Sequence, residues 1–225
     1  MNGPFDLIIF DYDGVIADSE LLNNAIMAEL LSEIGLPTSL DDALASYLGK
    51  RWLDCEAIIT ERLGVPCPPG VREEWTRRCH ERAGRELRSV AGFEAFLDAR
   101  SERRCIASSS PPDWIEMGLR RFNAYEDFDG PIFSAAVHVN RGKPHPDLFL
   151  FAARVMNVAP SRTLVIEDSP TGALAGVAAG MTVAGLCAGG HVRNGHAEGL
   201  ASAGAHQVFH SYADLGAWIA TEPQT

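Results

Sequence analysis

FDLIIFDYDG, residues 5–14, sets the architecture expected of the whole chain. Its apolar run is short and unbroken, which is typical of a strand buried in a parallel sheet. Two acids, Asp11 and Asp13, follow directly, and Gly14 stands where the backbone has to turn. A buried strand that ends in acids places charged groups at one edge of a sheet, so this edge is the first candidate for a functional site.

Helices and strands alternate from residue 93 onward. We expect helices over 93–99, 113–122, 146–156 and 170–179, and strands over 104–107, 132–137, 163–166 and 182–186. Such alternation predicts a parallel sheet with helices on both faces. The predicted fold class is therefore α/β, with a doubly wound, Rossmann-like core.

A different pattern occupies residues 16–89, where helical periodicity prevails and no segment has the pattern of a strand. Apolar side chains recur there at the four-residue spacing of one helix face, and Gly35 can end the first helix. We therefore expect two domains. An α/β core would comprise residues 1–15 and 90–225, and an inserted all-helical cap would comprise residues 16–89.

The composition of the 225-residue chain is that of an ordinary globular protein, with 46% hydrophobic and 22% charged residues. Its formal net charge of −11 argues against nucleic acid and an anionic membrane surface as partners, and an anionic substrate would need a local positive site or a bound metal. No run reaches the about 18 apolar residues that a membrane span needs, and no secretory signal is visible.

The five cysteines include no CxxC pair, which favours reduced thiols. We expect a cytoplasmic protein that is a monomer or a weak dimer.

Polar residues follow three of the predicted strands, and one lysine stands on a loop before a predicted helix. These residues are Asp11, Asp13, Ser108, Ser109, Lys143, Glu167 and Asp168. The carboxyl ends of parallel strands meet at one edge, so we expect the side chains to lie together. Carboxylates can hold Mg²⁺, and one of them can attack phosphorus to form an aspartyl-phosphate. A lysine and backbone N–H groups would balance the phosphoryl charge, while a second acid would move protons.

Four segments resemble the four motifs of the haloacid dehalogenase superfamily. They are DYDGVIADSE at 11–20, SSS at 108–110, GKPHPD at 142–147 and IEDSPTG at 166–172, in the order found in that family. The helical insert after the first motif resembles the family's type with an α-helical cap between motifs one and two. The resemblance covers nearly the whole chain and implies the same fold class and domain division.

The resemblance also implies a role for each matched residue. Asp11 would be the nucleophile and a Mg²⁺ ligand. Asp13 would be the general acid and base, and its backbone carbonyl would also bind the metal. Ser108, helped by the backbone of Ser109, would bind the phosphoryl group. Lys143 would pair with both the nucleophile and the phosphate.

Three further positions, together with Asp13, refine this resemblance. Asp168 would be a Mg²⁺ ligand, with Glu167 in contact with the ion or with one of its ligands. In the dehalogenases proper the position of Asp13 is not an acid and no metal is used, so Asp13 favours phosphate chemistry. Mutases that resemble β-phosphoglucomutase carry a histidine where this chain has Asn23, so Asn23 favours hydrolysis by water.

The predicted function is that of a Mg²⁺-dependent phosphatase, a phosphoric monoester hydrolase that works through an aspartyl-phosphate. We expect its partner to be a small phosphorylated metabolite, either a sugar phosphate or a phosphorylated sugar acid. Two alternatives stay open. One is a β-phosphoglucomutase-like phosphomutase, and the other is a non-catalytic phosphate-binding module on the same fold.

Lys50 and Arg51 stand in a segment that looks like the family's cap specificity loop. They have two interpretations, which are contact with an anionic group of the substrate and an ordinary helix start with solvated bases. The arginines between residues 72 and 88 alternate with glutamates at four-residue spacing, which predicts a solvated, salt-bridged helix face.

Four other polar or aromatic residues of the expected α/β domain are expected to have structural roles. Ser110 is interpreted as the N-cap of the helix that follows it. Trp114 is interpreted as a core side chain. His191 and His196 lie in a glycine-rich loop after a strand. A zinc site is one interpretation of these histidines, but no further ligand is evident in the sequence, so we expect them at a loop or rim.

Overall fold

The buried strand that opens the chain is β1 (Leu7–Phe10), and all four of its residues are shielded from solvent. The computed structural model describes residues 4–48, 50 and 52–222. The described backbone divides into two units. The α/β unit consists of the described residues up to Asp18 and from Arg88 onward, and the helical unit consists of Ser19–Leu87.

Six strands, eleven α-helices and two short 3-10 helices are assigned in the described part of the chain. The helical unit contains α1 (Ser19–Glu33), α2 (Leu40–Tyr47), α3 (Trp52–Leu63) and α4 (Val71–Glu86). The further strands are β2 (Arg103–Ser108), β3 (Ile132–Ser134), β4 (Thr163–Glu167), β5 (Thr182–Leu186) and β6 (Gln207–Phe209). The remaining helices are α5 (Phe93–Asp98), α6 (Pro112–Arg121), α7 (Ala135–His138), α8 (Asp147–Val155), α9 (Pro170–Ala178), α10 (His196–Ser202) and α11 (Tyr212–Thr221).

The six strands form one parallel sheet in the order β3-β2-β1-β4-β5-β6. Successive side chains of β1 point to opposite faces, and each face is covered. Ile9 belongs to an apolar cluster with residues of α8 and α9. Phe10 packs edge-on against Phe93 and Phe96 of α5, with ring centroids 6.2 and 6.1 Å apart. The sheet with helices on both faces confirms the predicted doubly wound α/β class.

Two parts of the α/β unit differ from the pattern read in the sequence. The strand expected over 132–137 ends at Ser134, whose hydroxyl accepts the backbone N–H of Ala136 and so begins the short helix α7. The chain after β5 forms α10, β6 and α11, none of which we predicted. β6 is a three-residue edge strand with an exposed first residue, so it lacks the long apolar run that marks the central strands.

The helical unit has an apolar core of its own, to which Met27, Leu31, Tyr47 and Ile59 contribute. Glutamates on α1 and α4 surround the arginines of α4. Arg78, for example, donates to both Glu33 oxygens at 2.8 and 2.7 Å and to Glu74 at 2.7 Å. The structure confirms the salt-bridged helix face that the spacing predicts.

Among the described residues, none of the helices combines the length and the apolar character that a bilayer span requires. All five cysteines are free, and Cys67 is the one that is not fully buried.

Candidate active site

The candidate site lies where the strand order reverses, at the carboxyl end of β1. β1 pairs with β2 on one side and with β4 on the other, and Phe10 is in register with Ile106 and Ile166. Asp11 follows β1, and its backbone N–H donates to the Ile166 carbonyl at 3.0 Å. Ligands of open α/β sheets bind at such a reversal, because the loops that leave the two neighbouring strands diverge there.

Lys143 links the acids that follow β1 and end β4. Its Nζ lies 2.8 Å from Asp11 Oδ1 and 2.5 Å from Glu167 Oε1, and its side chain is only 5% exposed. Burial by itself lowers the pKa of Lys143, but the carboxylates of Asp11 and Glu167 outweigh burial and raise this pKa above its ordinary value. The lysine is therefore charged at neutral pH and contributes a fixed positive charge beside Asp11.

Glu167 is completely buried, and both of its carboxylate oxygens are engaged. Oε1 accepts a hydrogen bond from Lys143, and Oε2 accepts the backbone N–H and the hydroxyl of Ser169, each at 2.9 Å. A Cβ added at Gly172 would lie 1.7 Å from Oε1, so α9 can pass this close only because that position is glycine. Burial raises the pKa of Glu167, and Lys143 opposes that shift.

Asp168 adds a third carboxylate to the cluster. One oxygen each of Asp11, Glu167 and Asp168 lies within 4.8 Å of the others, and all three residues are buried. Burial raises the pKa of Asp168 well above its usual range, and the carboxylates of Glu167 and Asp11 raise it further. Lys143 contributes one positive charge against these three acids. Buried negative charge without compensation is costly, and oxygen donors suit Mg²⁺, so the donor set fits a divalent cation.

Asp13 lies in the turn after β1 and is held by two side chains from another part of the chain. The Ser110 hydroxyl donates to Asp13 Oδ2, and the Trp114 indole N–H donates to Asp13 Oδ1 at 3.0 Å. The interpretation of Ser110 as a helix N-cap is wrong, because Pro111 is the N-cap of α6 and makes no side-chain cap. Prolines at 111 and 112 lack the N–H groups that a capping hydroxyl would accept.

The two serines expected to bind phosphate lie at and just beyond the end of β2. Ser108 is the last residue of the strand and is buried, while Ser109 is exposed. The Ser108 hydroxyl oxygen accepts the backbone N–H of Ser110 at 3.3 Å. Since β2 is the neighbour of β1, both serines emerge at the same edge of the sheet as Asp11.

A cavity of about 110 Å³ lies within the helical unit, and its polar lining includes Asn23, Asn24, Glu20 and Lys50. The side-chain oxygen of Asn23 is buried and, within the described residues, accepts no hydrogen bond. Arg51, the other base of the proposed specificity segment, lies outside the described residues. Lys50 therefore borders a small cavity, lined by both apolar and polar side chains, rather than only the outer surface of a helix.

The two histidines after β5 lie beside Asp168, and the expectation of a rim position is wrong for His191. His191 is 1% exposed, and its Nε2 lies 3.0 Å from Asp168 Oδ2. His196 is half-buried, and its Nε2 lies 2.6 Å from the Asp168 backbone oxygen. The glycine pair before His191 is the sequence signal for this close packing, since a Cβ at Gly189 would lie 2.7 Å from the ring.

Comparison with known proteins agrees with this geometry. Residues 5–180 match the family model described as haloacid dehalogenase-like hydrolase. The 6-phosphogluconate phosphatase of Escherichia coli (strain K12) is 27% identical over 187 residues, which cover 83% of this chain and 84% of that protein.

Two solved structures are similar over nearly their full length. A conserved haloacid dehalogenase-like protein of unknown function from Agrobacterium tumefaciens is 33% identical with a TM-score of 0.88, covering 96% of this chain and 98% of that one. A HAD family hydrolase from Deinococcus radiodurans, solved with bound phosphate and sodium, is 33% identical with a TM-score of 0.80, covering 97% and 96%.

Three findings define the class of this protein. They are the buried acids around one lysine, the parallel sheet that carries them, and the similarity to the relatives described above. The chain belongs to the haloacid dehalogenase-like hydrolase family. Within that family it is a phosphoric monoester hydrolase.

Proposed function

We propose that this phosphatase is Mg²⁺-dependent, hydrolyses a small phosphorylated sugar or sugar acid, and works through an aspartyl-phosphate on Asp11. The observation that carries the proposal is the buried cluster in which Lys143 contacts both Asp11 and Glu167 while Asp168 lies within reach of both acids. Such an arrangement suits transfer of a phosphoryl group, because that group is anionic and its transfer needs little beyond positioning and charge compensation.

In the first half of the proposed reaction, a carboxylate oxygen of Asp11 attacks phosphorus and the bond from phosphorus to the ester oxygen breaks. Asp13 gives its proton to the departing oxygen, which leaves as an alcohol. Lys143 balances the negative charge on the phosphoryl oxygens, and Ser108 with the backbone of Ser109 holds them in place. Ser110 and Trp114 fix the orientation of Asp13 during this step.

In the second half, Asp13 accepts a proton from water as that water attacks the phosphorus of the aspartyl-phosphate. The bond between phosphorus and Asp11 breaks, inorganic phosphate leaves, and the Asp11 carboxylate is restored. Asn23 carries an amide where a mutase of this type would have a histidine. Since an amide acts as neither a general acid nor a general base at neutral pH, the chain favours water as the acceptor of the phosphoryl group.

We propose that side-chain oxygens of Asp11 and Asp168 and the backbone carbonyl of Asp13 hold the cation. Mg²⁺ bound there would neutralise charge on the phosphoryl oxygens and orient the phosphate toward Asp11. Glu167 belongs to the same acidic cluster. Its oxygens already accept hydrogen bonds from Lys143 and Ser169, so we propose that it acts mainly by fixing the lysine.

The proposed substrate class rests on two observations. A relative of similar length is a 6-phosphogluconate phosphatase, whose substrate is a phosphorylated sugar acid. The cavity of the helical unit offers an ammonium at Lys50 and amides at Asn23 and Asn24, which can bind a carboxylate and hydroxyl groups.

The proposed function is tested by measuring phosphate release from phosphorylated sugars and sugar acids, with Mg²⁺ and with excess chelator. We expect turnover to require the ion, and Asp11→Asn to lower kcat by roughly a thousandfold or more with an unchanged fold. Asp98→Asn, a matched change at an exposed acid of α5, should keep the wild-type rate.

Three outcomes would contradict the proposal. Full activity in excess chelator would show that the reaction needs no cation. Conversion of a hexose 1-phosphate to its 6-phosphate without phosphate release would identify a mutase. Ester binding without turnover would identify a phosphate-binding module.

A further inference from the structure

A second group of possible metal ligands shares Asp168 with the three buried acids. One donor atom each of Asp168, His191 and His196 lies within 4.8 Å of the other two. The acidic group offers oxygen atoms alone, whereas this group offers two imidazole nitrogens and one carboxylate oxygen. Asp168 therefore belongs to two sets of donors that differ in their chemistry.

The ring of His191 packs against glycine backbone on one side and faces Asp168 on the other. A Cβ added at Gly189 would lie 2.7 Å from Nδ1 of this ring, so the ring fits here because that position is glycine. The neighbouring Gly190 N–H donates to Asp18 Oδ1 at 2.9 Å, which holds the loop in place. His191 Nε2 lies 3.0 Å from Asp168 Oδ2, close to the roughly 3.3–3.5 Å that separate two ligand atoms of a tetrahedral Zn²⁺ ion.

His196 is the first residue of α10, and its ring centroid lies 5.4 Å from that of His191. Its Nε2 lies 2.6 Å from the Asp168 backbone oxygen. Because a carbonyl oxygen only accepts hydrogen bonds, the neutral ring in this contact carries its proton on Nε2 and has a lone pair on Nδ1. A metal-bound histidine commonly donates its second ring N–H to a backbone carbonyl, which orients the ring. The contact of His196 with the Asp168 carbonyl is therefore of the kind that supports a metal ligand.

The types of donor separate the ions that the two groups can bind. Mg²⁺ prefers hard oxygen ligands, whereas imidazole nitrogen suits Zn²⁺. Two histidines and one carboxylate are a ligand set that holds Zn²⁺ in enzymes, with the fourth position left to water or substrate. Asp168, which follows β4, supplies the third ligand that the sequence around the histidines does not reveal.

We propose that Asp168, His191 and His196 form a second metal site, which binds Zn²⁺ in preference to Mg²⁺. Because Asp168 belongs to both donor sets, Zn²⁺ bound with the histidines engages a carboxylate that the proposed Mg²⁺ site needs. Zn²⁺ is therefore expected to inhibit the phosphatase. This inhibition rests on the proposed Mg²⁺-dependent function, but the binding of Zn²⁺ does not.

Zn²⁺ binding is measured by equilibrium dialysis of the full chain in excess MgCl₂, and circular dichroism checks the fold of each variant. We expect the Zn²⁺ affinity to fall by roughly a hundredfold or more in His191→Ala and in His196→Asn, since losing a group that only orients a ligand already costs about 10–100-fold. His196 is half-buried, so His196→Asn decides the question if the variant of the buried His191 does not fold.

Two further measurements accompany the dialysis. His210→Ala, a change at an exposed histidine of the same unit, should bind Zn²⁺ as the wild type does. Phosphate release is followed at increasing Zn²⁺, with each protein compared with its own rate without Zn²⁺. We expect His196→Asn to need roughly a hundredfold more Zn²⁺ for half inhibition than the wild type, in line with its weaker binding.

The outcomes separate this inference from the proposed function. If His191→Ala and His196→Asn keep the wild-type Zn²⁺ affinity, the second site is wrong, whatever the enzyme requires of Mg²⁺. If both variants lose Zn²⁺ while phosphate release needs no Mg²⁺, the second site stands and the proposed function is wrong. Zn²⁺ that binds with the histidines and leaves the rate unchanged would overturn the proposed inhibition.

Discussion

Gly172 illustrates how much of the site depends on single atoms. It lies in the first turn of α9, and the space that its side chain would need is filled by the Glu167 carboxylate. Gly14 faces the same constraint, because its φ is +76° and a Cβ there would lie 1.9 Å from Asp168 Oδ2. Both glycines let backbone approach a buried acid, so the acids keep their positions only while these residues lack side chains.

Replacing Gly172 should therefore affect both stability and catalysis. We expect Gly172→Ala to lower the free energy of unfolding by ~1–3 kcal/mol, the usual cost of overpacking, and to reduce kcat because Glu167 must move away from Lys143. Gly84 provides the matched control, since it is an exposed helical glycine at which an added Cβ would meet open space. Gly84→Ala should stabilise the protein by about 0.5–1 kcal/mol. Denaturant unfolding and steady-state kinetics measure both effects, and an unaltered kcat in Gly172→Ala would contradict the expected movement.

At the scale of elements, α1 and α4 are joined across their exposed faces by Arg78. The Arg78 guanidinium lowers the pKa of Glu33. Arg77 and Arg78 together lower the pKa of Glu74 to about 2, against a usual value of 4.5. A carboxyl whose pKa is depressed in the folded state stabilises that state above its unfolded pKa, and this contribution is lost as the pH falls toward the folded value.

The pH dependence of stability should report these contacts. We expect Arg78→Met to be less stable than the wild type at pH 7. This gap in the free energy of unfolding should narrow as the pH falls from about 4.5 toward 2. Urea midpoints at several pH values measure the gap. Arg72→Met, at an exposed arginine of the same helix, should give little or no gap at any pH. A gap for Arg78→Met that stays constant down to pH 2 would show that the Glu33 and Glu74 contacts contribute nothing.

The elements that could be predicted from the sequence are those marked by a pattern of neighbouring residues. β1, β4, β5 and the middle of β2 are short apolar runs, and polar residues follow three of these strands, so both the sheet and the candidate acids could be identified. The contacts of Ser110 and Trp114 with Asp13 join residues about a hundred positions apart, and no local pattern encodes them. β6 was missed because a short edge strand needs neither a long apolar run nor regular alternation.

At the scale of the whole molecule, the proposed function places chemistry and substrate recognition in different parts of the chain. The acids of the cluster and Lys143 all belong to the α/β unit. The cavity that Lys50 borders belongs to the helical unit. A core that recognises only phosphate would serve many esters, so selectivity is expected to depend on the helical unit.

Lys50→Ala is expected to change selectivity and not chemistry. It should raise KM for a phosphorylated sugar acid several-fold, because a charge-assisted contact with the carboxylate is lost, and leave KM for p-nitrophenyl phosphate nearly unchanged. Arg88→Ala, at an exposed base of the α/β unit, is the matched control. Equal changes in KM for both substrates would show that Lys50 does not recognise the sugar acid.

The indole of Trp114 can serve as an intrinsic fluorescent probe of the candidate site. Its N–H points at the carboxylate of Asp13, and the other three tryptophans are Trp52, Trp75 and Trp218. With those three replaced by phenylalanine, the remaining indole emission would come from a single tryptophan in contact with the acid that we propose as the proton donor. Stopped-flow light emission would then follow, in real time, each arrival and departure of a ligand beside that acid.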